Sequence, residues 1–485
     1  KDLFASIPGM TKTGTGNIEV FGTGEPVYYI NNHKVLDNSE VESLDPKDIK
    51  TIELITTPGA QYDAEGKAIV KITTKKNDNG YNVFLKSNVS QSDVSGNDEN
   101  VNVSYTSNKL NVSALYDYWD DAYKLHQPQI KNLYLDKDVY SKITDQKGSD
   151  RTVRNGWNLS MDYQVSKKQV LSVNWNGYID KVKENRFTNL DYKENSVLLQ
   201  HSDISNDYHN PIRMQHMNVF YSIDWNKKFS SQFIADYVRN SNKYHQDVTE
   251  STSDSIMKTT SRDYSAFNIY AVRQNTDYKI NANQKLLFGA EYNRVTGVGN
   301  LESDVSTIPT SDYKEHENKL ALFAEYHFDN KKWSFIPGLR YEFYHSSYKD
   351  RINDSNNIDR IYNNLFPSLI IGYHNKLWSH SLSLSSRITR PTFRQLSNNS
   401  YYNDEYSYQI GNPSLKPAIN YAAQWQSSYR FVNLSMAYEY DKNVTINNMY
   451  ESTNEPQVII STYDNFNHIS YFRFNLNVQK KIDFW

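Results

Sequence analysis

From about residue 81 to the end of the chain, apolar and polar side chains alternate one by one over stretches of about 8–12 residues. The clearest stretch places five apolar residues on one face: Leu320, Leu322, Ala324, Tyr326 and Phe328. Successive side chains of a β-strand point to opposite faces, so this period predicts strands with one apolar and one polar face. The pattern recurs about 16 times between Tyr81 and Val478.

The connections between these strands fall into two classes that alternate along the chain. One class has a few residues carrying Asn or Ser with Lys, such as Asn330-Lys331-Lys332. The other class is polar and long, at residues 119–155, 180–214, 240–263, 297–317, 345–361, 391–420 and 443–467. Outer-membrane barrels have short periplasmic turns and long extracellular loops. The pattern therefore predicts an all-β fold, a transmembrane antiparallel β-barrel.

The alternative is a large soluble all-β protein such as a propeller or a β-helix, but no blade-like or coil-like repeat is present.

Composition and charge narrow the classes of function. Only 38% of the residues are apolar, yet 14% are aromatic, which is unlike both a packed soluble domain and a disordered chain. The net charge of −3 gives no electrostatic basis for binding nucleic acid. The absence of cysteine excludes disulfides, thiolate metal sites and cysteine nucleophiles. The sequence contains neither a long apolar run typical of a transmembrane helix nor a signal peptide at its start.

Residues 1–76 do not show the barrel pattern. A strand at 26–30, a short helix or turn near 41–49, a strand at 52–55 and a strand at 68–74 predict a small α+β unit. Such a unit is too small to bury a large core alone, but it would have walls to pack against inside a barrel.

Two sets of segments carry a family resemblance. "VYYINNHKV" and "LDPKDIKTIELITTPGAQYDAEGKAIVKITTKK" resemble the second half of the plug domain of TonB-dependent outer-membrane receptors. "LLFGAEYN", "LALFAEYHF", "PGLRYEFY", "NNLFPSLIIGYH" and "ITRPTFRQLSNNSYYNDEYSYQIGNPSLKP" resemble barrel segments of the same family, the last of them those of its Bacteroidota branch. The resemblance implies a plug domain (C-terminal part) at 1–76 and an outer-membrane β-barrel at 77–485. It also implies the cell outer membrane of a Gram-negative bacterium as the location.

The sequence departs from the family pattern at both ends. Lys1 to Gly9 resembles the middle of a plug, without the TonB box that precedes it in the family. The last residues, Gln479 to Trp485, resemble another short turn with no strand after it, whereas the family has nominally 22 strands. We therefore expect the barrel to be truncated at its C-terminus.

Candidate site residues come from the plug segment and from one aromatic loop. In the family the plug residues would form the packed sheet and the apical loop beneath the ligand; they are Tyr28, Tyr29, Ile52, Ile55, Pro58, Tyr62 and Ile72. The loop after 390 combines aromatic faces with cations, which suits ligand binding as well as loop packing or pairing with lipopolysaccharide. Its candidate ligand-binding residues are Arg390, Phe393, Arg394, Tyr401, Tyr402, Tyr406 and Tyr408.

No catalytic motif, cofactor motif or metal motif is present. His201, His209 and His216 lie close in sequence and are candidate metal ligands, but solvated histidines in a loop are commoner. We therefore expect neither an enzyme nor a protein with a cofactor or a metal.

The resemblance implies a receptor that binds a solute with its extracellular loops and imports it through a plugged barrel. Implied partners are outer-membrane lipid and lipopolysaccharide, TonB if the protein is longer, and a surface lipoprotein or other outer-membrane subunits. An alternative is a receptor-shaped barrel acting as a structural or accessory subunit of an outer-membrane complex. An outer-membrane hydrolase is disfavoured because no catalytic set stands out. The sequence does not identify the substrate.

Overall fold

The computed structural model describes residues 10–12, 18–20, 25–31, 33–35, 41, 44, 47, 49–65, 68–75, 79–135, 137–304, 310–396, 400–404, 407–452 and 458–478. Within these residues no helix is long and apolar enough to cross a membrane. The predicted segments Lys1 to Gly9 and Gln479 to Trp485 lie outside the described residues.

Almost all of the described chain is β-structure. The strands are β1 Met10–Lys12, β2 Ile18–Val20, β3 Val27–Ile30, β4 His33–Lys34, β5 Ile49–Ile55, β6 Ile69–Thr74, β7 Gly80–Gln91, β8 Ser95–Ser107, β9 Leu110–Leu135, β10 Asp138–Ser166, β11 Gln169–Glu194, β12 Val197–Asp224, β13 Phe229–Ser251, β14 Ile256–Lys279, β15 Gln284–Ser303, β16 Ser311–Asp329, β17 Trp333–Asp350, β18 Ile358–His374, β19 Trp378–Thr389, β20 Ser400–Asp404, β21 Ser407–Ile410, β22 Ala418–Tyr429, β23 Val432–Glu451 and β24 Ile459–Val478. A 3₁₀ turn, Asp354–Asn356, and a one-turn helix α1, Phe393–Leu396, complete the set within the described residues.

A closed barrel contains every strand from β7 onward. Among the described residues, sixteen strands, β7 to β19 and β22 to β24, pair antiparallel in chain order. The short strands β20 and β21 follow β19 in the chain and form a hairpin, in which β21 pairs in parallel with β24, while β19 and β22 pair directly with each other. Chain-order pairing is what strands joined by turns at alternating ends produce. The predicted antiparallel barrel and its count of about 16 strands are confirmed.

The two faces of a barrel strand differ as the alternation predicts. Leu320 and Leu322 on β16 are exposed on the outside, whereas the residues at the alternate positions, Lys319, Ala321, Phe323 and Glu325, are buried on the inside. Lipid offers no hydrogen bonds, so outward positions are apolar and the sheet satisfies its backbone internally. Aromatic pairs stand at the short-turn ends, including Trp333–Tyr373 at 4.8 Å and Trp378–Tyr429 at 4.3 Å. Such pairs form the girdles of membrane barrels.

A charge on the outward face is expected to destabilise the barrel. Leu322 is 51% exposed and lies within the apolar outer stretch of β16, so Leu322→Arg places a guanidinium in lipid. We expect a loss of about 2–4 kcal/mol in the free energy of unfolding, measured by denaturant titration in lipid vesicles. His316→Arg, on the same side of β16 but beyond the apolar stretch, is the control, with a loss of about 0–1 kcal/mol. Equal losses for the two variants would contradict the predicted lipid-facing band.

The N-terminal sheet is a four-stranded unit with the order β4-β3-β6-β5. Strand β3 runs parallel to β6, and β5 runs antiparallel to β6. Its core includes Ile30, Val70 and Ile72, with Val20 of the separate β1–β2 ribbon packed in the same cluster. The alternation in "IVKITT" therefore buries one face of β6 against this core. The strands predicted for this segment are present.

The predicted long connections are wrong for much of their length. Residues 119–155 form the far halves of β9 and β10, and 180–214 form those of β11 and β12. The β11–β12 connection is reduced to Asn195 and Ser196, both with positive φ. Most side chains of these strand halves are polar, so the alternation of apolar and polar residues that predicts a strand is weak. One face still buries an apolar cluster, which includes Leu190, Tyr192 and Ile204.

The strands also differ in length around the barrel. Strand β10 has 29 residues and β12 has 28, whereas β19 and β22 have 12 each. The short-turn ends of the strands lie together, because the chain reverses there in a few residues. The difference in length therefore appears at the opposite end of the barrel. We call it the long-connection end, after the long connections that the sequence predicts there. Its rim is high at β10 and low at β19.

Candidate functional site

The connection between β5 and β6 brings the N-terminal sheet to the barrel wall. The backbone N–H of Gln61 donates to the Glu325 carboxylate at 2.7 Å, and Arg273 donates to the Gln61 carbonyl. A Cβ atom on Gly59 would overlap the Glu325 carboxylate, so a larger residue there would displace this carboxylate from the Gln61 N–H. Residues 58–65 are called the apical loop below.

Two acids of the apical loop pair with bases of the wall. Asp63 accepts from Lys319 at 2.5 Å through its carboxylate and from Arg387 at 3.3 Å through its backbone carbonyl. Glu65 pairs with Arg390 at 2.7 Å. The loop is therefore attached to β16 and to the end of β19 by charged groups.

Acidic side chains of the barrel wall form further ion pairs with basic side chains of the same wall. Lys319 lies 3.5 Å from Glu291. Arg340 contacts Glu342 at 2.6 Å and Glu291 at 3.3 Å. Glu342 also pairs with Arg390 at 2.8 Å, which returns the network to the apical loop.

We call this set the clamp: Asp63, Glu65, Glu291, Lys319, Arg340, Glu342, Arg387 and Arg390. Its four acids and four bases balance in charge. Arg340 is 1% exposed and Glu342 is not exposed. Charges buried this deeply are tolerated only when they are paired, and removal of one leaves its partners uncompensated.

Apolar and aromatic contacts support the clamp. Ala60 of the apical loop packs with Leu287 and Phe323, and Ala64 packs with Phe366 and Ile388. The guanidinium groups of Arg273 and Arg340 lie 5.6 and 5.7 Å from the centre of the Phe323 ring. Phe323 thus separates two cations, each in reach of its π face.

The predicted plug residues lie in the N-terminal sheet and its loop. Tyr28 and Ile72 are buried in the sheet core, and Ile52 packs against it. Ile55 ends β5, half-buried, and Pro58 begins the apical loop, buried. Tyr62 is buried and meets Tyr29 edge-on at 6.0 Å.

The predicted ligand-binding residues are spread over several elements. Arg390 lies in the clamp, where its partners are Glu65 and Glu342. Phe393 and Arg394 are in α1, Tyr401 and Tyr402 in β20, and Tyr408 in β21. Tyr406 lies outside the described residues. Ligand binding by these residues stays a prediction.

Sequence reasoning missed most of the clamp. Lys319, Arg340 and Glu342 are charged residues at inward positions of strands whose outward positions are apolar. Such a charge at the period of the strand indicates an internal partner, because an inward charge in a plugged barrel must be paired. That pattern is visible in "PGLRYEFY", which contains both Arg340 and Glu342.

The candidate histidines lie in one strand, β12, rather than in a loop. His201 pairs with Asp191 at 2.7 Å and His216 pairs with Asp236 at 2.8 Å. No group of three or more potential ligand side chains occurs among the described residues.

Several open spaces surround the β5–β6 connection and the N-terminal sheet. One of them, of about 610 Å³, is lined by Thr56, Thr57, Arg387, Glu439 and Arg473 among others. A recess of about 500 Å³ lies between the clamp and the long-connection end, lined by Glu315, Tyr344, Tyr348, Arg360, Tyr362 and Arg390 among others. A wider gap of about 1080 Å³ lies on the opposite side of the N-terminal sheet. Its wall is mostly amide and hydroxyl, from residues such as Asn102, Ser113, Asn174 and Asn218. The N-terminal sheet is therefore attached to the barrel wall by ion pairs on one side. On the other side it faces a wall that consists mostly of uncharged amide and hydroxyl groups.

Comparisons with known proteins agree with this architecture. The siderophore receptor PirA of Pseudomonas aeruginosa superposes with a TM-score of 0.58 at 14% identity, over 98% of this chain and 78% of that one. A mutant ferric enterobactin receptor (PfeA) of the same species, in complex with enterobactin, gives 0.59 at 15% identity, over 98% and 75%. The Serratia marcescens hemophore receptor HasR, in complex with its hemophore HasA and heme, gives 0.57 at 11% identity, over 98% and 76%. No curated protein sequence matches the chain.

The structural likeness establishes the fold, which is that of the receptors of the TonB-dependent type. The family follows from the sequence itself. The model of the outer membrane protein beta-barrel family matches residues 224–485, more than half of the chain. This protein is an outer-membrane β-barrel and belongs to the outer membrane protein beta-barrel family.

Proposed function

We propose that the protein is a TonB-dependent receptor that binds a solute at the cell surface and imports it through a plugged barrel. In this proposal residues 1–76 are the C-terminal part of the plug and residues 77–485 are the barrel. The observation that carries it is the clamp, in which Asp63 and Glu65 of the apical loop pair with Lys319 and Arg390 of the inner wall, two bases whose side chains are each 9% exposed.

The position of the clamp connects binding to opening. Arg390 belongs to the clamp and also lines the recess on the long-connection side. A ligand in the recess would therefore touch a residue that holds Glu65 of the apical loop. The neutral gap on the other side gives the plug few charged contacts to break when it moves.

Partners and substrate follow from the same proposal. The barrel contacts lipid and lipopolysaccharide, and TonB supplies the energy for import. The structurally similar receptors named above bind enterobactin in one case and a hemophore with heme in another. We extend to this protein only the general role of a solute receptor, without catalysis. A Bacteroidota origin, a surface lipoprotein and further subunits belong to the proposal on the sequence resemblance alone.

The test is energised uptake by cells that carry the complete native gene, compared with cells that lack it. Fluorescent ferric siderophores, heme, maltoheptaose and lysine-containing peptides form the panel, with and without collapse of the proton-motive force. A receptor accumulates at least one solute about tenfold above the deletion strain, and the accumulation stops when the force collapses. No accumulation of any solute, together with stable co-purification of other outer-membrane proteins, would replace the proposal by that of an accessory subunit.

A further inference from the structure

The recess contains a carboxyl group that nothing in the described structure satisfies. Glu315 is 2% exposed, and neither of its carboxylate oxygens has a hydrogen-bond partner among the described residues. It lies opposite Gly297 on β15 and Tyr348 on β17. Because a buried acceptor without a partner is costly, such a group is retained where a ligand completes it.

The other charged groups around the recess already have partners. Glu317, on the same strand, accepts from the Tyr344 hydroxyl. Arg360 donates to the backbone carbonyls of Pro413 and Leu415. Arg390 is paired within the clamp. Glu315 is therefore the acceptor of the recess that is free to bind a ligand.

Three tyrosines, Tyr344, Tyr348 and Tyr362, contribute rings to the wall of the recess. Tyr348 stacks on Tyr313 at 5.2 Å, and Tyr344 lies 6.3 Å from Tyr362. The Tyr344 ring already has one cation over its face, Arg390 at 4.4 Å. Aromatic faces beside a carboxyl group are the surroundings that proteins use to bind ammonium groups.

Burial, and next the nearby Glu317, raise the pKa of Glu315 to about 8. The residue lies beyond the apolar outer stretch of β16, since its outward neighbours are Lys314 and His316. At neutral pH the raised pKa favours the uncharged form of the Glu315 carboxyl group. A cation beside it favours the ionised form and expels the proton.

We propose that this recess binds the ammonium group of an amine-bearing ligand, with Glu315 as its acceptor and the tyrosine rings as its walls. The proposal deepens the proposed function, because it names the chemical class of the ligand at the outer side of the clamp. Binding to the purified protein is independent of energised uptake, so either proposal can fail while the other stands.

The experiment is calorimetric titration of the full protein in detergent with two probes. Nα-acetyl-lysine amide carries one ammonium group, and its Nε-acetylated form carries none. We expect the ammonium probe to bind at least tenfold more tightly than the neutral one. Glu315→Gln should remove this preference, whereas Glu302→Gln, an exposed glutamate of the neighbouring β15, should keep it. Equal binding of the two probes, or an unchanged preference in Glu315→Gln, overturns the proposal.

Proton release supplies a readout that needs no variant. At pH 7 a carboxyl group with a pKa of about 8 is about 90% protonated, so binding should release about 0.9 proton. Titrations in two buffers with different ionisation enthalpies measure this number. The affinity should rise about tenfold from pH 6 to pH 7 and level off above pH 8, because the proton no longer has to leave. Binding without proton release at pH 7 would also overturn the proposal.

Discussion

Replacing Arg340 by methionine is expected to cost the folded barrel about 3–5 kcal/mol. Arg340 is 1% exposed and pairs with both Glu291 and Glu342. Its removal takes one cation from each of two buried carboxylates, so that Glu291 keeps only Lys319 and Glu342 keeps only Arg390. The measurement is denaturant unfolding in detergent micelles or lipid vesicles, followed by the loss of the compact band in unheated gel electrophoresis.

Arg351→Met is the matched control. Arg351 pairs with Asp312 at 3.0 Å, but both side chains are exposed, at 47% and 41%. A pair in water contributes about 0–1 kcal/mol, so this variant should unfold nearly as the wild type does. If both variants lose the same small amount of unfolding free energy, water reaches Arg340 and the clamp is not a buried network.

A disulfide between the apical loop and the wall is expected to abolish import. A Cβ atom on Gly338 would lie 3.2 Å from the Cβ of Ala60, close to the separation of about 3.5–4.5 Å found in disulfides. The Ser368 hydroxyl beside Gly338 must move aside, which a side-chain rotation achieves. In the double variant Ala60→Cys, Gly338→Cys these are the only cysteines of the sequence. If the loop must leave the wall for a solute to pass, oxidation stops uptake.

The readout is uptake before and after reduction. Uptake should fall to the level of the deletion strain under oxidising conditions and return when a reductant is added. Each single-cysteine variant should transport under both conditions. Transport at the wild-type rate by the fully oxidised double variant would show that the apical loop stays in place during import.

The sequence predicts the membrane-spanning part of the fold well, because lipid imposes the alternation that defines a strand. Leu320 and Leu322 stand where the pattern puts them, on the outside of β16. The far halves of the strands escaped prediction because most of their side chains are polar and only a few apolar residues, such as Leu190, Tyr192 and Ile204, mark the buried face. The β9–β10 ribbon therefore resembles a polar loop, although its pairing continues to Leu135 and Asp138.

The candidate site was predictable only where a family motif marks it. The apical loop was expected from "TTPGAQYDAEG", and it contacts the wall through Gln61, Asp63 and Glu65. The partners of these residues are not encoded locally: Asp63 and Lys319 are 256 positions apart. Arg390 was expected as a ligand-binding residue, whereas its pairing with Glu65 and Glu342 depends on residues distant in the sequence. Glu315 has no motif at all, and only its burial without a partner identifies it.

The unequal lengths of the strands make the barrel wall higher on one side than on the other. At about 3.3 Å per residue and a tilt of about 40°, the wall at β10 rises about 40 Å higher than the wall at β19. The Glu315 recess is built from β16, β17, β18 and the end of β19, on the low side. A molecule tethered to the membrane surface meets a high wall if it approaches from the side of β10 and a low wall if it approaches from the side of β19. The orientation of the barrel among its neighbours in the membrane therefore decides which of them face the low rim and which face the high wall.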